Sequence, residues 1–253
     1  MLKFGKFTAA TRSEWTKFFS LRSTVSLLLA GIAASVVLGW LLGASAKASG
    51  DNGYDTAMPA PLMVFASLQF GQLLFASAAV LHLSGEYSAD QMGQTLQSVP
   101  RRFTLVAAKS LVVAVVGFIG GVAAILLGTI PAGLAADNYG SFAFSDLATA
   151  ALGAGAYLAL LSLMMIGLSL LCRNSAGSIV AMLMLVVGLP QILQLVRIDW
   201  VQEIVQYLPT NAATFLATGA VEPYGPAAAL GILVAWAILL LAIGSRRFIV
   251  ADA

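Results

Sequence analysis

The chain of 253 residues is 60% hydrophobic and 9% charged, with a mean hydropathy of +0.93, which excludes an ordinary soluble domain. Its 13 Lys and Arg against 11 Asp and Glu leave a net charge of +2. The basic residues flank apolar runs instead of forming a patch, which argues against nucleic acid as a partner. A single cysteine, Cys172, excludes an internal disulfide and a zinc site built on several cysteines.

Residues 1–24 form the first element, a cytoplasmic amphipathic helix. Phe4, Phe7, Thr11, Trp15 and Phe18 recur at helical spacing on one side, and Lys3, Lys6, Ser13, Lys17 and Ser20 lie on another. That pattern suits a helix in the plane of the membrane interface, aromatic side down and basic side toward headgroups. The alternative is a solvated leader that only sets orientation.

Six uncharged apolar stretches follow: Val25–Gly43, Pro61–Ser84, Ser110–Gly133, Leu147–Cys172, Ser175–Val196 and Pro226–Ser245. Each is long enough to cross a hydrocarbon core of about 30 Å as a helix, and helices are the form that satisfies backbone polar groups there. Ala44-Ser45-Ala46 and Ala46-Lys47-Ala48 resemble signal-peptide cleavage sites, but the stretch before them is longer than a usual signal core, so we read it as an uncut span.

Charge orients the bundle. With the N-terminus in the cytoplasm, Lys3, Lys6, Arg12, Lys17, Arg22, Arg101, Arg102, Lys109, Arg173, Arg246 and Arg247 fall inside, and only Lys47 and Arg197 fall outside. The reverse would violate the positive-inside bias. Both termini, including the tail 246–253, are then cytoplasmic, and the expected fold is an all-α membrane protein with six transmembrane helices.

Between the spans, the outer segments Ala44–Ala60 and Leu134–Asp146 read as irregular. The outer segment 197–225 differs. Val201, Ile204, Val205 and Leu208 form an apolar helical stripe, Pro209 breaks it, and Asn211 is placed to cap a second short helix ending near Gly219. The cytoplasmic segment 85–102 is polar and long enough for a short protruding helix ended by Pro100, a device for docking a cytoplasmic partner.

Catalytic and transport motifs are sparse. His82 is the sole histidine and is expected at the interface near the end of the second span. HExxH, GxSxG and the Walker A pattern are absent, so this chain does not bind ATP by that route. The intramembrane polar set singled out is Gln69, Gln72, His82, Gln191 and Gln194; the glutamines form two pairs, each three residues apart on one helix face, with Pro190 positioned to kink the fifth span. They either line a substrate path or hydrogen-bond between helices, the second reading being favoured. Gly117, Gly120, Gly121, Gly153 and Gly155 are suited to close helix packing. No internal repeat is evident.

Three stretches carry a family resemblance. The opening Arg12-Ser13-Glu14-Trp15-Thr16-Lys17, followed by Ser20-Leu21-Arg22-Ser23-Thr24, is one. The run Gly85-Glu86-Tyr87 through Thr95-Leu96, Pro100-Arg101-Arg102 and Ala108-Lys109 is the second. The third is Arg173-Asn174-Ser175-Ala176-Gly177 with the later Leu208-Pro209. The chain resembles the permease subunits of type-2 ABC exporters, especially the short six-span permeases of Actinobacteria. It departs from them around Asp90, where the family commonly has Gly-Thr and basic residues.

The resemblance implies a bacterial plasma-membrane permease that exports a lipophilic drug, peptide or lipid. Two permease copies, or one with a sister chain, would form the pore in membrane lipid. A separate ATPase subunit would carry ATP and magnesium, this chain having no cofactor of its own. It would dock on Gly85, Glu86, Tyr87, Thr95, Pro100 and Arg101 and beside Glu14, Trp15, Lys17 and Arg22. On their own terms, Glu86 reads equally as a charge complementing a helix N-terminus, and Arg101 and Arg102 as membrane anchors. Two other functions remain open: an immunity or sensing subunit for antibiotic peptides, and a stand-alone facilitator or channel.

Overall fold

The computed structural model describes residues 2–88, 97, 101–196 and 198–250. It is all-α, with no strand among the described residues. Six helical stretches are long and apolar enough to cross a membrane: Arg22–Gly50, Ala60–Tyr87, Arg102–Gly140, Phe144–Cys172, Ser175–Leu195 and Pro226–Val250. The chain is a multi-pass membrane protein.

Helix α1 (Leu2–Ser20) lies against α4 and the start of α2. The chain turns at Leu21, where ψ is 108°, and α2 (Arg22–Gly50) begins. Thr24 fixes this elbow: its Oγ1 donates to Phe18 O at 2.6 Å and to Leu21 O at 2.8 Å. The buried edge of α2 is a stripe of small residues, Gly31, Ser35, Gly39 and Gly43, four apart. Small side chains let helix backbones approach closely in a bilayer, where dispersion and hydrogen bonds drive association. Ser67 Oγ accordingly donates to Ser35 O across the α2–α3 contact at 2.8 Å.

Helices α3 (Ala60–Ser88), α4 (Arg102–Ala136) and α5 (Phe144–Cys172) form the centre. Where α4 crosses α5, a Cβ on Gly117 would stand 2.7 Å from Leu158 O, and one on Gly121 would stand 2.6 Å from Ala154 O. The close packing expected at these glycines is present. The fifth span is not one regular helix. It runs as α6 (Ser175–Leu183), a π-helical stretch (Met184–Gly188) and α7 (Leu189–Leu195). Pro190 has no N–H for the carbonyl of Val186, and Thr210 Oγ1 donates to that carbonyl at 3.1 Å instead. Short helices α8 (Asp199–Val205) and α9 (Pro209–Thr218) precede the last span, α10 (Pro226–Val250).

The span edges extend beyond the apolar runs. α2 continues to Gly50 and α4 to Ala136, followed by a 3-10 turn over Asp137–Gly140, so less of the outer segments is irregular than expected. The second short helix of segment 197–225 ends at Gly219 in the left-handed region (φ 71°), as expected. Its start differs: Leu208 occupies the cap position and Pro209 the first turn, while Asn211 Nδ2 donates back to Val205 O at 2.7 Å. Proline suits that first turn because its missing N–H has no intrahelical partner there anyway.

The two ends of the bundle differ in charge. At one end, Arg102 donates to Phe248 O at 2.7 Å and Arg173 to Arg247 O at 3.2 Å, closing the α3–α4 and α5–α6 ends onto the tail of α10. At the other, Lys47 pairs with Asp137 at 3.0 Å in an exposed position.

Candidate functional site

At the basic end, three distant parts of the sequence meet in one buried ion network. α1 contributes Glu14 and Lys17, the last turns of α3 contribute His82 and Glu86, and the start of α4 contributes Lys109. Lys109 is fully buried, and Glu14 and His82 are nearly so, at 2% exposure each. Lys109 Nζ stands 2.7 Å from Glu14 Oε2 and 2.8 Å from Glu86 Oε1. Lys17 Nζ stands 3.2 Å from Glu14 Oε1 and 2.9 Å from Glu86 Oε1. His82 Nε2 lies 3.2 Å from Glu14 Oε2, its ring against Phe18 with centroids 5.2 Å apart.

Two ammonium groups face two carboxylates, so the network is neutral when His82 is neutral. That balance is what makes the burial tolerable: the desolvation of each ion is offset only while its partners stay in place. Burial opposes ionisation of Glu14, but its contact with His82 and the charges of Lys109 and Lys17 outweigh it and hold the carboxyl at about 2. Burial likewise opposes the charge on Lys17, while Glu86 and Glu14 outweigh it and raise its pKa.

Several expectations are corrected here. His82, expected near the interface, is covered: α1 folds over that end of the bundle and buries its ring against Phe18. Lys109, placed by the sequence in the cytoplasmic segment just ahead of the third span, is a buried residue within α4. Gly85, Glu86 and Tyr87 belong to the last turns of α3 instead of a loop. Glu86 therefore sits at a helix C-terminus, where a carboxylate is disfavoured by the dipole, and the N-terminal charge reading fails.

The face of α1 turned inward carries Ala10, Glu14 and Phe18, four residues apart. Trp15, expected on the membrane face together with Phe18, points away from it at 40% exposure, beside Phe19. The physical reason is Lys109: a buried ammonium needs a carboxylate, and turning Glu14 inward supplies one. Arg22 and Arg101 are exposed, Arg101 capping α4 through its extended backbone without a side-chain bond. Thr95 and Pro100 lie outside the described residues. A pocket of about 400 Å³ opens beside the network between Lys17, Leu21, His82 and Glu86.

A second constellation lies toward the opposite end. Gln69, Gln72, Gln191 and Gln194 line one pocket of about 370 Å³, together with Thr210 and Asn211 and apolar side chains including Phe70 and Pro190. Gln72 is buried and lies 12 positions along α3 from Ala60, about 18 Å by helical rise and close to the middle of the helix. Its Nε2 donates to Gln69 O at 2.8 Å and to Gln69 Oε1 at 3.0 Å, and Tyr157 of α5 donates its hydroxyl proton to Gln72 Oε1. Of the two readings of the glutamines, hydrogen bonding between helices is present at Gln72, while Gln191 and Gln194 make no side-chain hydrogen bond among the described residues. The π-helical stretch abuts the pocket through Val186 and Val187, and such bulges are frequent at functional sites.

The sequence reading missed the network as a unit. Its signal was present in Lys109 directly beside an apolar run and in Glu14 between aromatic residues, but no spacing rule joins residues 95 positions apart. Comparison of the chain with protein-family models finds no match, and comparison with curated proteins finds none either.

Proposed function

We propose that the chain is the membrane-spanning permease subunit of an ATP-driven exporter, powered by a separate cytoplasmic ABC ATPase. One observation carries the reading. Four charged residues of the stretches that carry the family resemblance, Glu14 and Lys17 of the opening, Glu86 of the Gly-Glu-Tyr run and Lys109 of the Ala-Lys pair, join in the buried network. In sequence, Glu86 precedes and Lys109 follows the segment proposed to dock the ATPase, and α1 is bonded to both. A displacement of either flank is thereby shared by α1, α3 and α4 instead of being absorbed by one of them. The outer pocket, reaching the middle of α3, supplies a place from which a substrate is released outward. In this reading the basic end faces the cytoplasm of a bacterial cell, and a second permease completes the pore.

The test is co-purification. The chain is tagged, co-expressed with the ATPase encoded beside it, purified on that tag and assayed for ATP hydrolysis in nanodiscs. A stable complex whose hydrolysis is lost when residues 86–95 are replaced by a Gly/Ser linker supports the proposal. A well-folded protein with no associated ATPase overturns it in favour of a stand-alone facilitator.

A further inference from the structure

The chemistry of the outer pocket narrows what it takes. None of its lining side chains is charged. A charged ligand entering it would lose hydration without gaining a counter-charge, a cost of several kcal/mol for an ion in a low-dielectric site. A pure hydrocarbon would leave the polar groups of Gln191, Gln194 and Gln69 facing apolar surface without partners, which is also unfavourable. What matches is a neutral ligand with alternating donors and acceptors set between apolar groups.

Carboxamides present one face with both a donor and an acceptor, the same pair that a peptide group presents. Gln191 and Gln194 sit on successive turns of α7, both with uncommitted amides. Gln69 accepts from Gln72 and keeps its own NH₂ uncommitted. Phe70, Leu73 and Val187 fill the space between these amides with apolar surface. At about 370 Å³ the space is within the usual range for small-molecule sites. It admits a few residues of a chain, not a folded domain.

We infer that this pocket binds an uncharged, amide-rich ligand of peptide type, with apolar side chains and no free charged terminus in contact with the site. The direction of movement rests on the transport proposal; binding itself does not.

The experiment uses the full-length permease in nanodiscs without ATPase, so that its outcome is separate from that of the co-purification test. The probe is N-acetyl-Leu-Phe-Leu-amide carrying a photoreactive leucine. It is compared with its backbone N-methylated analogue and with the same tripeptide bearing free termini. The capped peptide is expected to bind saturably and to cross-link residues of α3 and α7. The N-methylated and free-terminus forms are expected to bind about tenfold more weakly, as is the capped peptide to Gln191→Leu/Gln194→Leu. Equal affinity for the N-methylated form would overturn the inference by reducing the pocket to an apolar surface. Absence of saturable binding would also overturn it, as would a disulfide between two copies of Gln194→Cys that forms regardless of peptide, which would assign this face to a second copy of the chain.

Discussion

The two polar regions of this bundle solve opposite problems. At the basic end, five ionisable side chains are packed so tightly that four of the ionic contacts run between ammonium and carboxylate at 2.7 to 3.2 Å. In the opposite half, neutral carboxamides line an open pocket, and two of them make no side-chain bond among the described residues. A charge network of this kind resists separation, because parting any pair exposes a buried ion to an apolar surround. A carboxamide pocket deforms at small cost, because each neutral hydrogen bond contributes only about 1 kcal/mol net. Under the proposed function, the difference suits one region to transmit force and the other to accommodate a ligand.

The comparison breaks most sharply if Lys109 is removed. Lys109→Met leaves Glu14 and Glu86 facing each other with Lys17 alone between them, and is expected to destabilise the bundle by about 3–5 kcal/mol. Thermal unfolding in detergent would show a marked drop in Tm. The double variant Glu14→Gln/Lys109→Met removes the orphaned charge and should recover much of the loss; a double variant as unstable as the single would contradict the ion-pair account.

Acid should strike the same end. The folded-state pKa of Glu14 is depressed from 4.5 to about 2, so its contribution to stability is fully present above pH 4.5 and is lost as the pH falls toward 2. A shift of that size corresponds to about 3 kcal/mol. Stability measured from pH 6 to pH 3 should fall in the native protein and fall less in Glu14→Gln. Parallel curves for the two would remove Glu14 from the account.

The half away from the ion network should be more forgiving. Thr210→Val withdraws the hydroxyl from the carbonyl of Val186, which Pro190 cannot bond, and a loss of about 1 kcal/mol is expected. Smaller still, Gln191→Leu/Gln194→Leu should change stability by less than about 0.5 kcal/mol, since both side chains are exposed and unbonded. Large losses from that pair would mean that the pocket is structural, like the network.

Much of the fold was legible because transmembrane helices announce themselves by length and by the absence of charge. The six spans, the irregular fifth span at Pro190 and the helix end at Gly219 each follow from local chemistry. What the sequence concealed is tertiary. Lys109 adjoins an apolar run in the way an anchoring lysine does, and only the position of α1 reveals it as buried. Helical spacing assigned Phe18 and Trp15 to one face, but the helix is apolar on two sides, and the carboxylate of Glu14 decided which turned inward. The four glutamines were recognisable as intramembrane polar groups. That they share one pocket depends on how α3 packs beside the fifth span, and no pattern within either helix encodes it.

Under the proposed function, the basic end moves as a unit while the glutamine pocket changes shape. Electron–electron distance measurements on the spin-labelled chain, in the proposed complex with an ABC ATPase, test it directly. One label pair is placed at the exposed Thr16 and Phe103, on α1 and α4, and a second at Gln69 and Gln194, across the pocket. Trapping the complex with ATP and vanadate should leave the Thr16–Phe103 distance distribution unchanged and shift that of Gln69–Gln194. A shift at Thr16–Phe103 with a static pocket would contradict the account.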